Sequence, residues 1–347
     1  MIIQIFDIGN SMSRGFIYDV GVDSVSLIRC DRWTTKTDFE SNLVNVQQSL
    51  GKNVDAIMFI TSSDNFVVWG NEAMKWVKAQ DDGDADIPPR PLFRETGKTE
   101  AHDWQGIHDK LFQITGNPQK VLPVSAAYAA RLVGDPGFKN WDITHASNSG
   151  VFSYQLPSVD ARFPNSGWHP CVDRFIESDW FDRKILPCDH IVGTYNGAKV
   201  LLGGHDTTFA VANQIPYSTK PYISCGTWTT VSVESSVRPN WEDKGQRYLI
   251  APNGAILKQL CFPSEKDDPE VPYKVADYIN KNVLPSGTKT DIQGKYIGNS
   301  TRISLFGSWR HALHQKIVPL LPGRNICIET EDYLTQQAAS YVARSIS

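Results

Sequence analysis

The sequence has no long hydrophobic run and almost no excess of charge of either sign. No segment approaches the roughly 18 consecutive apolar residues of a membrane-spanning helix, so we expect no membrane contact. The 34 basic and 38 acidic side chains among 347 residues leave a formal net charge of −4, which offers no positive field for nucleic acid. Small anionic ligands stay compatible with this charge, because backbone amides bind them locally.

The sequence also lacks paired cysteines. Its six cysteines lie far apart, with no C-x-x-C pair and no zinc-finger spacing. A chain of this length buries a full hydrophobic core without disulfide bonds. Residues 1–7 lack a basic start and end on a carboxylate, which fits a first β-strand better than a signal peptide. We therefore expect a cytoplasmic protein with reduced cysteines.

What the sequence does contain is an ordinary globular composition arranged as strands and helices. Hydrophobic residues make up 41% of the chain and charged residues 21%, which excludes wholesale disorder. The pattern predicts strands at residues 2–6, 15–20 and 25–29, then a helix at 39–50 and a strand at 56–60. A β-meander followed by alternating helices and strands indicates a mixed α/β sheet.

The centre of the chain is predicted to be helical at first and irregular afterwards. Residues 101–133 have mostly helical spacing, and residues 207–213 have it again. Between them, residues 134–187 crowd aromatic residues, prolines and turns with little periodicity. We expect a loop-rich insertion there, of the kind that often carries binding residues.

The second half of the chain opens as the first half does. The strands predicted at residues 200–202 and 222–224 each run into a small polar turn that contains glycine. A glycine-bearing turn of this kind lies near the start of each half, at residues 7–11 and again at residues 224–228. This repetition predicts two similar half-folds that face each other. We place the domains at residues 1–217 and 218–347, with the division in the proline-bearing stretch 215–221.

The first stretch that could carry chemistry is the turn Asp7-Ile8-Gly9-Asn10-Ser11. A glycine-bearing hairpin turn lets backbone amides approach phosphate oxygens, and the adjacent carboxylate can hold Mg²⁺ through water. The alternative is an ordinary hairpin turn whose aspartate binds its own backbone. The turn by itself leaves both interpretations open.

Two later turns have the same character. Gly203-Gly204-His205-Asp206 follows a strand, and its carboxylate either caps the next helix or serves as a general base. The glycines favour close approach of a ligand, while His205 fits a structural role better than proton transfer. Ser224-Cys225-Gly226-Thr227-Trp228 repeats the logic of the first turn, again with a plain hairpin as the alternative. Cys225 has no basic partner in the sequence, so we expect it to be buried.

In this order and at these distances, the three turns resemble the FGGY family of carbohydrate kinases, within the sugar kinase, Hsp70 and actin superfamily. Residues 7–14 are similar to the first phosphate motif, D-x-G-T-[ST]-x-x-R, with Asn10 at the threonine position. Residues 204–210 resemble the G-H-D-T-x-x-A signature, and residues 224–228 the second phosphate motif, S-S-G-T-W. The last two motifs are most similar to those of the fuculokinase and rhamnulokinase branch.

The resemblance covers residues 1–235 well and the remainder by element order. It implies an α/β, two-domain actin-like fold, which is ribonuclease H-like, and which closes on ATP and a sugar in a central cleft. It implies that Asp206 is the general base and that Asp7 orients Mg²⁺. The residues that it implies for nucleotide binding are Asp7, Gly9, Asn10, Ser11, Arg14, Gly226, Thr227, Gly307 and Ser308.

Two further regions carry predictions. The family's adenine-binding diglycine turn is here Gly307-Ser308, where the Ser308 side chain would crowd the nucleotide or Trp309 would stack on it.

The residues near the expected sugar contacts offer an aromatic platform beside acids and amides, which suits a polyhydroxylated ligand. They are Asp64, Asn65, Trp69, Arg94 and His205, and the segment 145–148 is a further candidate of the same kind. A core position for the tryptophan and a turn role for the aspartate are equally compatible with the pattern.

The function implied by the resemblance is ATP- and Mg²⁺-dependent phosphorylation of a ketose, with a deoxyhexulose such as fuculose or rhamnulose as first choice. The alternatives are a kinase of another ketose or a polyol, a sensor or scaffold that binds sugar or nucleotide without transfer, and an ATPase whose sugar site is lost. Asp206 favours transfer, because a pure binder gains nothing from a carboxylate that asparagine could not supply. The expected partners are a sugar and ATP, without nucleic acid or membrane, and a homodimer is left open.

Overall fold

The computed structural model describes most of the chain, and the account below concerns that part. The described residues are 1–36, 38–62, 65–69, 74–78, 120–149, 152–154, 167–168, 179–216, 219–226, 228–235, 246–264, 266–283 and 302–347. The strands are β1 (Ile2–Ile8), β2 (Met12–Val20), β3 (Val25–Thr34), β4 (Ala56–Thr61), β5 (Asn65–Trp69), β6 (Met74–Lys78), β7 (Lys120–Pro123), β8 (Phe152–Ser153), β9 (Gly167–Trp168), β10 (Ile191–Tyr195), β11 (Ala198–His205), β12 (Tyr222–Cys225), β13 (Trp228–Glu234), β14 (Arg247–Ile250), β15 (Ile256–Pro263), β16 (Arg302–Gly307) and β17 (Asn325–Ile328). The α-helices are α1 (Phe39–Gln48), α2 (Val124–Val133), α3 (Ile143–Asn148), α4 (Val271–Asn282), α5 (Arg310–Ile317) and α6 (Tyr333–Ile346), and 3₁₀ helices span Asp206–Val211 and Val318–Leu320.

The first sheet has six strands in the order β10-β11-β4-β1-β2-β3. The strands β1, β2 and β3 form the predicted antiparallel meander, and β4 and β11 then add parallel to β1. Parallel neighbours need crossover connections, which here run through helical segments. The carboxyl ends of β1, β4 and β11 therefore lie at one edge of this sheet.

The second sheet repeats this plan. Its order is β14-β15-β13-β12-β16-β17, with β12, β13 and β15 as antiparallel neighbours and β16 and β17 parallel to β12. The short turn after β12 thus occupies the place that the turn after β1 has in the first sheet. The repeated half-fold predicted from the two glycine-bearing turns is confirmed.

The first core forms where α1 and α2 cover the first sheet. Phe6 and Phe59, on neighbouring parallel strands, stack with ring centroids 5.1 Å apart, and Tyr128 stacks on Phe59 at 5.3 Å. The alanines of α2 are all buried, and such small side chains let the helix lie close to β4 and β11. Gly134 ends α2 in the left-handed conformation that glycine adopts without strain. The strand ends are thereby held on a rigid support.

The last helix, α6, packs against the first sheet. Ala338, Ala339 and Val342 are fully buried in the first core. At the start of the helix, the Tyr18 hydroxyl on β2 lies 2.6 Å from the Thr335 hydroxyl. The division between residues 217 and 218 stays a prediction. The helix α6, which this division assigns to the second domain, packs against the first sheet.

Some predicted helices have different limits in the structure. Residues 120–123 of the stretch predicted as helix form β7, which pairs with β5 in a small sheet, and the helix begins only at Val124. A short apolar run fits a strand as well as a helix, so periodicity alone could not decide between them. The predicted helix at 207–213 is the 3₁₀ helix Asp206–Val211. No helix in the described ranges is long and apolar enough to cross a bilayer.

Candidate active site

The two predicted carboxylates, Asp7 and Asp206, lie at the same edge of the first sheet. Asp7 on β1 pairs with Ile60 on β4, and Ile60 pairs with Gly204, two residues before Asp206. Neighbouring strands are about 4.8 Å apart, which separates the two carboxylate-bearing strand ends by about 10 Å. That spacing leaves room between them for a phosphoryl group and the group that accepts it.

Asp7 is held by Arg14, its partner across the β1–β2 hairpin. Both guanidinium hydrogen bonds end on Asp7 Oδ2, at 3.1 Å from Nε and 2.5 Å from Nη2. Burial raises the pKa of the Asp7 carboxyl, and the Arg14 charge opposes this shift without cancelling it. The other oxygen, Oδ1, remains for a water molecule of a Mg²⁺ ion, so the residues present fit the water-mediated role predicted for Asp7.

Arg14 also connects this carboxylate to the last part of the chain. Its Nη1 lies 3.6 Å from Oε1 of Glu331, which precedes α6, and Arg32 reaches the same oxygen at 3.1 Å. The sequence did not predict this role for Glu331. The arginine predicted to contact phosphate is therefore shared between two carboxylates.

The turn between β1 and β2 is held through its carbonyl oxygens. The Thr35 hydroxyl donates to Gly9 O at 2.8 Å, and the Thr35 N–H donates to Ser11 O at 3.1 Å. A Cβ at Gly9 would lie 2.7 Å from Met12 O, so the turn is too tight for a side chain there. Asn10 and Ser11 are exposed at its tip. This arrangement is compatible with a turn whose amides face a phosphate.

Asp206 begins the 3₁₀ helix after β11. Just before it, Gly203 has φ +75°, and a Cβ there would lie 1.8 Å from Phe59 O, so β11 approaches β4 as only glycine allows. Asp206 Oδ1 accepts the Thr207 N–H at 2.5 Å and lies 3.4 Å from Nε2 of His205. The Asp206 side chain is 21% exposed, which leaves its carboxylate accessible to a substrate.

His205 is only 3% exposed, and its ring lies against the loop that carries Asp206. This burial agrees with the structural role favoured by the sequence. A contact between His205 and the sugar stays a prediction.

The second sheet brings its own two turns together. Cys225 at the end of β12 pairs with Gly307 at the end of β16. Gly307 has φ +111°, and a Cβ there would lie 2.0 Å from Cys225 O, so the strands meet as closely as β11 and β4 do. At Gly226 the nearest atom to an added Cβ is Ser308 Oγ, at 3.9 Å. Exposed Ser308 thus lies beside an open face of Gly226, where the sequence predicted the nucleotide.

A buried polar network lies below the first-sheet strand ends, and the sequence predicted part of it, residues 145–148, only as candidate sugar contacts. Asp142 and His145 form a pair with Oδ2 and Nδ1 2.7 Å apart, and both side chains are almost fully buried. The Thr144 hydroxyl, from the same helix, accepts the backbone N–H of His205 at 2.7 Å. A sequence signal existed, because an aspartate followed by Ile-Thr-His predicts a helix cap, but its long-range partners could not be read from it.

Several predicted residues cannot be placed. Thr227, Asp64 and Arg94 lie outside the described residues. Asn65 and Trp69 are the ends of β5, whose backbone pairs with β6 and β7, and their side chains also lie outside the description. In the part of the chain that is described, no three His, Cys, Asp or Glu side chains are grouped to hold a metal ion. Any metal there would depend on one or two carboxylates, water and substrate, as Mg²⁺ often does.

Comparison with known proteins identifies the fold. The chain is similar to the xylulose kinase from Bifidobacterium adolescentis, with a TM-score of 0.69 and 11% identity over 99% of this chain and 93% of that chain. It is also similar to ligand-bound xylulose kinase from Lactobacillus acidophilus, with a TM-score of 0.66 and 12% identity over 99% and 89% of the two chains. The chain is similar as well to gluconate kinase from Lactobacillus acidophilus, with a TM-score of 0.66 and 12% identity over 100% of this chain and 90% of that chain. No protein-family model and no curated protein matches the chain. At these identities the likeness establishes the fold, so the predicted two-domain actin-like fold is confirmed.

Proposed function

We propose that the chain is a carbohydrate kinase of the FGGY type, which transfers the γ-phosphoryl group of ATP to a sugar hydroxyl. The observation that carries the proposal is the alignment of Asp206 with Asp7 at one edge of the first sheet, on strands that both flank β4. The glycine turn after β1 lies at the same edge. A base, a metal-orienting carboxylate and a phosphate-binding turn are the parts that phosphoryl transfer needs.

In this proposal Asp206 accepts the proton of the attacking hydroxyl. Its carboxylate is partly exposed, follows a rigid strand end and lies beside the buried ring of His205. Removing the proton as the oxygen attacks phosphorus makes the hydroxyl a better nucleophile. The close approach of Gly203 to β4 fixes the backbone just ahead of the base.

The phosphates would lie between the two glycine turns. The N–H groups of Gly9 and Gly226 close their own turns, by donating to Met12 O and Trp228 O. The neighbouring amides of the two turns would hold the phosphates, and Arg14 would neutralise part of their charge. Asp7 would orient Mg²⁺ through water, and the ion would offset the charge that develops on the phosphate oxygens. Since little covalent chemistry is required of the protein, positioning carries most of the catalysis.

The sugar acceptor is proposed on the resemblance of the sequence motifs. The signature at residues 204–210 and the turn at 224–228 favour a deoxyhexulose such as fuculose or rhamnulose. The solved structures of similar fold are named as kinases of xylulose and gluconate, which makes a ketopentose and a sugar acid the natural rivals. The acceptor panel must therefore include all three classes together with polyols.

A second candidate function is binding of sugar or nucleotide without transfer. The observation that favours it is Ser308, which stands beside the open face of Gly226 and narrows the place predicted for the nucleotide. Asp206 weighs against it, because a pure binding protein gains nothing from a carboxylate at this strand end that asparagine could not supply.

The test is release of ADP from Mg²⁺-ATP across the acceptor panel, with a blank that contains no sugar. Turnover that rises above the blank with one sugar supports the kinase and identifies its acceptor in the same measurement. Turnover equal with and without every sugar indicates an ATPase. No turnover from folded protein, together with sugar or nucleotide binding by calorimetry, favours the binding protein.

A further inference from the structure

A buried network centred on Asp142 connects the strand ends beneath the proposed base. Asp142 is 0% exposed and caps the start of α3. Its Oδ1 accepts the backbone N–H groups of Thr144 and His145, each at 3.0 Å, and the Thr144 hydroxyl at 2.5 Å. A buried carboxylate with this many donors is fixed in place, because every lost hydrogen bond would leave a buried polar atom unpaired.

The first branch of the network fixes the backbone of the base. Thr144 Oγ1 accepts the N–H of His205, the residue directly before Asp206, at 2.7 Å. A Cβ at Gly204 would lie 2.6 Å from the same oxygen, so α3 packs against this strand end without space for a side chain. The Thr144 hydroxyl therefore links Asp142 to the end of β11, which β4 also holds through the pairing of His205 with Thr61.

The second branch leads to the first phosphate turn. His145 Nδ1 lies 2.7 Å from Asp142 Oδ2, and its Nε2 lies 3.4 Å from Ser62 O and 3.2 Å from Thr61 Oγ1 at the end of β4. The Ser62 hydroxyl donates to Asn10 Oδ1 at 3.1 Å. The end of β4 is thus held between His145 on one side and the turn after β1 on the other.

The surroundings of the His145 ring favour the doubly protonated form. Nδ1 faces Asp142 Oδ2 and Nε2 faces Ser62 O, and both oxygens accept hydrogen bonds, while the Thr61 hydroxyl can accept from Nε2 or donate to it. Burial lowers the pKa of His145, but the Asp142 charge and hydrogen bond, the Ser62 carbonyl and the charge of Asp206 together raise it above its usual value. Other titratable groups on the segments around α3 are Tyr154, Cys188, His205, Asp206, Arg247 and Tyr248.

We propose that His145, fixed by Asp142, is a positioning residue for the transfer reaction. It holds the end of β4, while Thr144 on the other branch of Asp142 holds the end of β11. Its positive charge keeps the Asp206 carboxylate ionised and ready to accept a proton. The inference rests on the proposed kinase function. His145 itself touches neither substrate; it acts through Asp206 and through the turn at Asn10.

The test compares His145→Gln and Asp142→Asn with the wild type in steady-state kinetics over a range of pH. Glutamine keeps a donor for Ser62 O but removes the charge, and asparagine removes the counter-charge of the ring. We expect kcat to fall about 10- to 100-fold in both variants, with KM for ATP nearly unchanged, because misplacement of the base acts on the chemical step. In His145→Gln the acid limb of the kcat profile should move to higher pH, since loss of a nearby cation raises the pKa of the Asp206 base. In Asp142→Asn an anion is lost together with the charge of the ring, so we expect the fall in kcat without this shift.

Tyr18→Phe is the matched control. It removes a buried hydrogen bond from the same sheet, near the opposite ends of β1 and β2. We expect this variant to lose stability without a shift of the acid limb. A purely structural role of His145 would give the same behaviour in His145→Gln, and that result would overturn the proposal.

The outcomes separate the two claims. If the wild type transfers no phosphoryl group to any sugar, the proposed function fails and the positioning role fails with it. If the wild type is active and His145→Gln keeps its kcat and acid limb, only the positioning role fails. If His145→Gln does not fold, the nitrogen NMR shifts of the wild-type ring decide: an imidazolium at neutral pH supports the proposal, and a neutral ring overturns it.

Discussion

The indole Nε1 of Trp309 donates a hydrogen bond of 2.9 Å to the carbonyl oxygen of Gly226. This bond joins the segment after β16 to the turn after β12, the two places on the second sheet where the sequence predicts nucleotide contacts. The Trp309 ring is 9% exposed and packs in the second core. We infer that it supports the nucleotide site from below, and that stacking of adenine on its face is disfavoured.

Replacement of Trp309 by phenylalanine should therefore weaken ATP binding. The hydrogen bond is lost while most of the packing is kept. One buried hydrogen bond contributes about 1 kcal/mol to stability, which limits the rise in KM for ATP to about fivefold. KM for the sugar should not change. Tyr278→Phe is the control, because it loses a bond from the tyrosine hydroxyl to Lys258 O in the same half. Equal changes in KM for ATP in both variants would contradict the supporting role.

A large apolar side chain at Ser308 should also act on ATP alone. Ser308→Leu fills the open space beside Gly226. Because the leucine side chain would occupy space predicted for the nucleotide, we expect KM for ATP to rise about tenfold or more. The measurement is KM for ATP and for the sugar in the same preparation. Gln315→Leu adds the same side chain to an exposed position of α5 and should leave both values unchanged. An unchanged KM for ATP in Ser308→Leu would move the nucleotide away from this turn.

Two glycines with the same backbone angle allow the cost of a positive φ to be measured separately from the cost of a steric clash. Gly203 and Gly323 both have φ +75°, but only Gly203 faces a neighbouring atom, Phe59 O, at 1.8 Å from an added Cβ. Gly323→Ala should lower the free energy of unfolding by about 1 kcal/mol, the cost of the left-handed conformation. Gly203→Ala should lower it by about 3 kcal/mol or more, because β11 must also move from β4. Urea unfolding of both variants tests this, and equal losses would contradict the close approach.

The stability contributed by His145 should depend on pH. Its pKa is raised in the folded protein above the unfolded value of 6.5, so its contribution is complete below pH 6.5 and is lost as the pH rises through the folded value. The difference in unfolding free energy between wild type and His145→Gln should therefore shrink toward alkaline pH. His190 provides the opposite case. Its pKa is lowered, mainly by burial and to a smaller extent by the positive charge of Lys184. The wild type should lose stability relative to His190→Gln as the pH falls, and parallel behaviour of the two variants would contradict these assignments.

The parts of the fold that the sequence predicts are those specified locally. The meander of the first sheet, the strand at β4 and the turns at Gly9 and Gly226 follow from hydrophobic alternation and from turn residues close together in the chain. The start of α2 was missed, because residues 120–123 are a short apolar run whose strand partner, β5, lies about 50 positions away in a separate hairpin.

The parts of the site that the sequence did not predict depend on contacts between distant segments. His145 meets Thr61 across 84 positions, and Tyr18 meets Thr335 across 317. No local periodicity encodes such pairs. The identity of Gly203 was visible in the sequence, but its tight contact with Phe59 O arises only when β11 adds beside β4. The sequence could therefore name the strand ends of the site without the network that holds them.

The most direct test of the central claim is phosphoryl transfer by Asp206→Asn. Formation of sugar phosphate would be measured with the acceptor that the wild type uses, beside Asp135→Asn, which alters a turn carboxylate that binds Gly137 N–H. We expect Asp206→Asn to bind ATP and unfold as the wild type does, but to transfer at least about 100-fold more slowly, since asparagine cannot accept the hydroxyl proton. Asp135→Asn should keep full activity. Transfer by Asp206→Asn at the wild-type rate would contradict the assignment of the base and, with it, this account of the site.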